Sequence, residues 1–136
     1  MNCELCITTG ETLLWRGQHC RVVLVKDEDY PGFCRVIWNE HIKEMTDLSA
    51  TLRNEFMNTV FIVESAVREV MHPEKINLAS LGNMTPHLHW HVIPRFIDDK
   101  HFPNPIWGTA LRTSNKRHAA EIQARLCAAI AERLPL

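Results

Sequence analysis

The sequence lacks the features of membrane-spanning proteins, repeat proteins and strongly basic nucleic-acid-binding proteins. No stretch approaches the roughly 20 apolar residues of a membrane-spanning helix, and there is no internal repeat, low-complexity tract or long linker. The 15 basic and 16 acidic residues give a net charge of −1 at pH 7. Because neither sign of charge dominates, neither nucleic acid nor an anionic membrane is expected as a partner.

The cysteine pattern also lacks the signs of a secreted, disulfide-bonded protein. Five cysteines are an odd number, and the first residues, MNCELC, contain no apolar signal-peptide core. We therefore expect a cytoplasmic protein. The 136 residues, 46% of them hydrophobic, suffice for a single domain over residues 1–136.

Apolar patterning predicts an α+β fold. Short β-prone runs bounded by turn residues predict five strands, at 12–16, 21–25, 33–38, 75–83 and 86–96. A stripe from Leu52 to Met71 at helical spacing predicts a long helix over 48–73, with Ser49 as its N-cap. A C-terminal helix is predicted over 116–134, after a proline- and aromatic-rich surface loop at 98–108. Strands on both sides of one long helix favour a mostly antiparallel sheet.

The segment TPHLHWHVIPR (85–95) carries histidines at three alternate positions, His87, His89 and His91. Because successive side chains of a strand point to opposite faces, the three imidazoles share one face and the apolar residues between them share the other. The apolar face is expected to pack on the core, so the histidines are expected to look outward together.

Three chemistries remain open for this row. The histidines can be structural, or they can chelate a metal with the help of a further ligand. Alternatively, a neutral imidazole can attack a phosphoryl group and form a covalent phosphohistidine or nucleotidyl-histidine, which water then releases. With an ordinary pKa near 6.5, the neighbouring imidazoles could bind phosphate oxygens and carry protons.

The residues upstream favour reaction at phosphorus. The turn LGNMT (81–85) places Gly82 and backbone N–H groups beside the histidines, and Asn77 and Asn83 add amide donors. There is no Walker-type lysine in this segment. Phosphate recognition is therefore expected to rest on amides and imidazoles.

These residues resemble a known family. HLHWHVI (87–93) is similar to the signature His-φ-His-φ-His-φ-φ of the histidine triad (HIT) proteins, where φ is apolar. VIWNEH, the long helix, INLASLGN and PRF follow in the family's order over about residues 1–96, and HFPNPIWG is similar to a bacterial subgroup of HIT-like hydrolases. The resemblance implies a HIT-like fold with a five-stranded antiparallel sheet, usually a homodimer. It also implies hydrolysis or transfer of nucleotidyl groups from nucleoside phosphoramidates or dinucleoside polyphosphates such as diadenosine tetraphosphate.

The resemblance assigns roles to individual residues and requires no metal or cofactor for the chemistry. The middle histidine, His89, is the implied nucleophile. His91 contacts the phosphate and assists proton transfer, and His87 orients His89, partly through its backbone carbonyl. Asn77 and Gly82 match the family's phosphate-binding amide and loop glycine.

Three positions depart from the family pattern. Met84 stands where a Ser or Thr hydroxyl often contacts phosphate, so only its backbone N–H is offered. Phe33 occupies the slot of a fourth histidine, which predicts slow or substrate-restricted hydrolysis. Asp27 is the candidate for the ribose-binding acid. A nucleotide-binding module with little turnover is therefore the alternative to an enzyme.

The pair Cys3 and Cys6 forms a C-x-x-C motif, which is half of a zinc site. Some bacterial HIT proteins complete such a pair with two histidines, which here implies His41 and His87. Structural zinc held by Cys₂His₂ is chemically sensible, and it would remove His87 as a free base. The alternative is two ordinary cysteines near a frayed end.

Two residues beyond the row, one aromatic and one basic, also bear on the predicted site. Trp107, in the loop at 98–108, is a candidate to shield the nucleotide base or to contact a dimer partner. Arg95 lies just past the triad strand and is expected to be a solvated arginine rather than a phosphate ligand.

Overall fold

The computed structural model describes residues 3–114 and 121–134, which form one five-stranded sheet and two helices. The strands are β1 (Thr12–Arg16), β2 (Cys20–Leu24), β3 (Cys34–Trp38), β4 (Lys75–Ala79) and β5 (His89–Arg95). The helices are α1 (Ala50–Met71) and α2 (Ile122–Arg133), with short 3₁₀ turns at Glu4–Cys6 and Met45–Asp47. The strand order is β1-β2-β3-β5-β4, with antiparallel neighbours throughout. The predicted α+β fold with a five-stranded antiparallel sheet is confirmed.

Strands β4 and β5 are shorter than the sequence predicts. Residues 80–88 connect them as irregular chain, so His87 lies before β5 rather than within it. Within the described residues the C-terminal helix starts at Ile122, and the predicted residues 116–120 lie outside the described part of the chain. The segment at 98–108 has neither helix nor strand, as predicted.

Both ends of α1 are fixed by local chemistry. The Ser49 side chain accepts a hydrogen bond from the backbone N–H of Leu52, which satisfies one of the free donors of the first turn. At the other end, His72 adopts the left-handed conformation (φ 51°), and Pro73 follows it. The predicted N-cap is observed, and α1 ends at Met71, two residues before the predicted limit of 73.

The helices cover one face of the sheet. The apolar stripe of α1, including Phe56, Val60, Val63 and Val67, is fully buried against inward-facing strand residues. Helix α1 packs on β3 and β5, and α2 packs on α1 and β1. Neither helix is long and apolar enough to cross a membrane.

The opposite face of the sheet is covered by irregular segments. Leu5, from the first 3₁₀ turn, packs with Val23 and Ile37. Farther along this face, Phe33 packs with Ile93. His89 and His91 lie on this face, so the covering segments control how much solvent reaches them.

Candidate active site

Strand β5 separates its residues as the alternation predicts. Val92 belongs to the core under the helices and Trp90 packs against that core, whereas His89 and His91 face the other way, with ring centroids 4.9 Å apart. The expected outward-looking row is corrected by the structure. His87, His89 and His91 are only 1%, 7% and 6% exposed, because the N-terminal turn and neighbouring loops cover this face.

The hydrogen bonds of His89 fix its tautomer. Its Nδ1–H donates to the backbone carbonyl of His87 at 2.5 Å, since a carbonyl can only accept. The lone pair is therefore left on Nε2. Burial lowers the pKa of His89, and the nearby Arg35 guanidinium lowers it further, although the bond to the carbonyl opposes this. A neutral imidazole with a free Nε2 lone pair is the reactive form of a histidine nucleophile.

His91 is held neutral in an aromatic pocket. Phe33 lies edge-on to its ring at 5.5 Å, and Trp107 lies at 5.0 Å from it. Its buried Nδ1 has no hydrogen-bond partner among the described residues. Burial, with Arg35 and His89 nearby, lowers the pKa of His91 to about 3. The Phe33 side chain offers no polar atom to this network.

The predicted phosphate loop has a backbone conformation that requires its glycine. Gly82 has φ +88°, in the left-handed region that side chains rarely adopt. Met84 is 97% exposed, so its side chain does not line an enclosed binding site. Asn83 is exposed as well. The phosphate contacts assigned to these residues stay predictions.

Asn77 is oriented by a buried ion pair. Its Oδ1 accepts a hydrogen bond from Arg95 Nη1 at 2.7 Å, and because arginine only donates, the Nδ2 group must point elsewhere. Arg95 Nε in turn donates to Asp99 at 2.8 Å. The expectation of a solvated Arg95 is wrong: this residue is 2% exposed and Asp99 is 5% exposed. Arg95 thereby fixes the orientation of the Asn77 amide.

Asp27 has a clear local role. Its Oδ1 accepts from the backbone N–H of Asp29, and its backbone carbonyl accepts from the N–H of Tyr30. These bonds form a turn of the kind that Asp side chains stabilise. The carboxylate is thus partly occupied, and ribose binding by Asp27 stays a prediction.

Arg35, on β3, was not among the residues predicted from the sequence. It pairs with His91 across the sheet, so both side chains lie on the same face. Burial lowers its pKa, and its Nε has no hydrogen-bond partner among the described residues. One signal was available: a charged residue at the centre of FCRVIW falls, by alternation, on the same face as Phe33 and Ile37.

Two cavities flank this face. The cavity that reaches His89 has a volume of about 370 Å³ and is also lined by Lys43, Ser80 and Gly82. The other, of about 450 Å³, contains Arg35 among its lining residues but not His89. Of these two cavities, only the first includes His89, the predicted nucleophile, among its lining residues.

The four predicted metal ligands lie together. The candidate ligand atoms of Cys3, Cys6, His41 and His87 are all within 4.8 Å of one another, and three sulfur–nitrogen distances are 3.4 Å. A tetrahedral zinc site, with Zn–S near 2.3 Å and Zn–N near 2.1 Å, requires about 3.6 Å between S and N. His87 Nε2–H donates to the Trp38 carbonyl at 2.6 Å, which leaves Nδ1 free to bind a metal. The cluster can therefore hold a metal ion.

Comparison with known proteins agrees with these observations. The family model described as "HIT domain" matches residues 9–98. Histidine triad proteins from Bradyrhizobium japonicum and Marinobacter aquaeolei are each 26% identical, with TM-scores of 0.73; the alignments cover 90% and 91% of this chain and 89% and 90% of theirs. A zinc-bound histidine triad family protein from Mycobacterium smegmatis shares the fold at 20% identity, with a TM-score of 0.71 over 97% of this chain and 95% of its own. No curated protein matches the chain. The chain belongs to the HIT domain family.

Proposed function

We propose that this protein is a nucleotide phosphohydrolase or nucleotidyl transferase that acts through a covalent nucleotidyl intermediate on His89. The observation that carries the proposal is the fixed tautomer of His89, with Nδ1–H bonded to the His87 carbonyl and Nε2 directed away from that bond. Family membership supports the same reaction class.

The reaction has two steps. The Nε2 lone pair of His89 forms a bond to phosphorus while the bond from phosphorus to the leaving group breaks, and the leaving group takes up a proton in a transfer that His91 assists. The imidazolium formed on His89 is stabilised because its Nδ1–H donates to the His87 carbonyl. Water then attacks phosphorus, the P–N bond breaks, and a nucleoside monophosphate leaves. The residues proposed to bind the phosphoryl oxygens are Asn77, Gly82, Asn83 and Met84, the last through its backbone N–H.

The proposed substrates are nucleoside phosphoramidates or dinucleoside polyphosphates such as diadenosine tetraphosphate. The competing function is a nucleotide-binding module without meaningful turnover. Phe33 favours that alternative, since it places a ring without proton-carrying atoms beside His91. The two differ in one respect: a binding module retains AMP but releases no product.

The test is a comparison of the wild type with His89→Gly, using adenosine phosphoramidate and diadenosine tetraphosphate. We expect turnover to fall by at least about 10³-fold, as for loss of a nucleophile. His72→Asn is the matched control, because Asn also tolerates the left-handed conformation of this exposed C-cap. Undiminished turnover by His89→Gly would exclude His89 as the nucleophile. Tight AMP binding with no turnover by the wild type would favour the binding module.

We also propose that Cys3, Cys6, His41 and His87 bind one structural zinc ion. The four ligand types and their spacing suit tetrahedral zinc, and a HIT protein of the same fold is zinc-bound. Such an ion would attach the N-terminal turn to the segment that precedes β5. It has no part in the covalent step, because His87 reaches His89 only through its backbone carbonyl.

Metal analysis of the purified protein tests this proposal. We expect about one zinc per chain in the wild type and a large loss in Cys6→Ser, with no change in Cys127→Ser, whose cysteine lies outside the cluster. Equal zinc content in all three proteins would contradict the assignment. A hydrolase that instead used the triad as its catalytic zinc ligands would lose all turnover on exhaustive chelation.

The remaining expectations concern assembly and location. A homodimer follows from the resemblance, and light scattering on the purified protein would test it. A cytoplasmic location agrees with the need to keep Cys3 and Cys6 reduced for metal binding.

A further inference from the structure

Arg95, the last residue of β5, is a buried arginine whose position is fixed by the loop that follows the strand. Its Nε and Nη2 groups donate to the two carboxylate oxygens of Asp99 at 2.8 and 3.1 Å, and Nη2 also donates to the Asn104 carbonyl at 2.7 Å. The rings of Tyr30 and Phe102 each lie with their centroid 5.7 Å from the guanidinium carbon. These contacts hold the guanidinium in place from several sides, so it cannot follow a neighbouring side chain that changes its orientation.

The remaining guanidinium nitrogen of Arg95 holds the amide of Asn77 in one orientation. Nη1 donates to Asn77 Oδ1 at 2.7 Å, whereas Asn77 Nδ2 donates to no acceptor among the described residues. If the amide turned over, its NH₂ group would face the guanidinium, and two donors would be in contact. Asn77 pairs with Ile93, two residues from His91 along β5, so its half-buried side chain lies on the same face as His91. The unused donor is therefore on the face that carries the histidines.

We infer that Arg95 is a positioning residue for the proposed reaction: it turns Asn77 Oδ1 away from the substrate, so that Nδ2 is the amide atom that meets the phosphoryl oxygens. An anionic phosphoryl group requires a donor at this point and is repelled by a carbonyl oxygen. Arg95 does not touch the substrate, because its guanidinium is buried and bound on all three nitrogens. The loop at 98–108 takes part in the positioning, since Asp99 and Asn104 both belong to it. This inference rests on the proposed function, since it requires a phosphoryl group beside Asn77.

The test is a double-mutant cycle between Arg95 and Asn77. It is read as kcat/KM for adenosine phosphoramidate and as the affinity for AMP in calorimetry, which needs no turnover. We expect Asn77→Ala to lower both by roughly 10- to 100-fold, the effect of losing a hydrogen bond to a charged group. Arg95→Met should lower both when Asn77 is present and should have no further effect when residue 77 is already alanine. Arg95→Lys should retain part of the activity, because its ammonium group can still donate to Oδ1.

Tyr30→Phe is the matched control for damage to the same buried cluster. It removes the hydroxyl that contacts Asp99 and His101 but leaves the hydrogen bond between Arg95 and Asn77. We expect kcat/KM and AMP affinity to stay at their wild-type values. A fall as large as that in Arg95→Met would show that general disturbance of the cluster is responsible, and it would overturn the inference.

A second variant of Asn77 provides a test if Arg95→Met does not fold. Asn77→Asp leaves the buried pair of Arg95 and Asp99 intact and still accepts the hydrogen bond from Arg95, but it presents a second oxygen where Asn77 presents an NH₂ group. AMP should therefore bind Asn77→Asp more weakly than Asn77→Ala. Equal or tighter binding by Asn77→Asp would overturn the inference.

The outcomes separate the inference from the proposed function. If folded Arg95→Met lowers kcat/KM by the same factor in both backgrounds, or does not lower it at all, the inference is overturned and the proposed function stands. Full activity of Asn77→Ala would overturn it as well, because there would be no donor to position. Undiminished turnover by His89→Gly would instead refute the proposed function, and the inference would fail with it.

Discussion

Removing the charge of Asp99 should destabilise the protein strongly. Its carboxylate accepts hydrogen bonds from Arg95, from Tyr30 and from the backbone N–H groups of Phe96, His101 and Phe102. Burial raises the pKa of Asp99, but these hydrogen bonds outweigh burial and hold the pKa at about 2. Asp99→Asn keeps the shape but turns an NH₂ group toward donors, and it leaves Arg95 buried without its counter-charge.

The magnitude follows from burial of both partners. Arg95 and Asp99 are 2% and 5% exposed, and loss of one partner from a buried pair costs about 3–5 kcal/mol. For a chain of 136 residues, an unfolding entropy of about 2.1 cal/mol/K per residue converts this loss into a fall in Tm of roughly 10–17 °C.

Chemical denaturation and a thermal scan would measure the effect. Glu69→Gln is the control, because Glu69 pairs with Arg133 at the surface with about half of its side chain exposed. Such a surface pair contributes at most about 1 kcal/mol. If Asp99→Asn and Glu69→Gln lose the same small amount, the carboxylate is not the buried, six-fold acceptor described above.

Three further predictions concern stability and the phosphate loop. The pKa of His91 falls from 6.5 to about 3 on folding, so the unfolded chain binds a proton more readily than the folded protein. The contribution of His91 to the free energy of unfolding is therefore fully present above about pH 6.5 and is lost as the pH falls toward 3. Between pH 6.5 and 5 the free energy of unfolding should fall by about 2 kcal/mol. In urea titrations, the free energy of unfolding of His91→Asn should depend less steeply on pH than that of the wild type. The same pH dependence in both proteins would contradict the burial of His91. Gly82→Ala should lower the free energy of unfolding by about 1–2 kcal/mol, because Gly82 has a positive φ. It should also lower turnover at least several-fold. Unchanged turnover would show that the loop is not part of the active site. Ser49→Ala should cost about 1 kcal/mol by loss of the N-cap, as measured by urea unfolding, and no change would mean that the cap is unimportant.

The parts of the fold that depend on local sequence were predictable. The helix α1 was located by its apolar spacing and its Ser49 cap, and β5 by alternation, because both patterns report on neighbours along the chain. Alternation also placed His89 and His91 on a common face. The limits of the strands were less certain: the predicted strands included residues 80–83 and 86–88, which the structure places in the irregular connection between β4 and β5.

What the sequence did not reveal depends on segments that are distant along the chain. The row of histidines is buried because the N-terminal turn and the loop with Trp107 fold over it, and no local pattern reports such cover. For the same reason Arg95 was expected in solvent, although Asp99 and Asn77 enclose it. The C-x-x-C pair was visible, but His41 and His87 could be joined to it only through resemblance.

Mass spectrometry of a trapped intermediate tests the central claim most directly. The protein would be mixed briefly with adenosine phosphoramidate, quenched under alkaline conditions that preserve phosphoramidate bonds, digested and mapped. We predict an acid-labile adenylyl group on His89 in the wild type and its absence in His89→Gly. An adduct on any other residue, or full turnover by His89→Gly, would contradict the account.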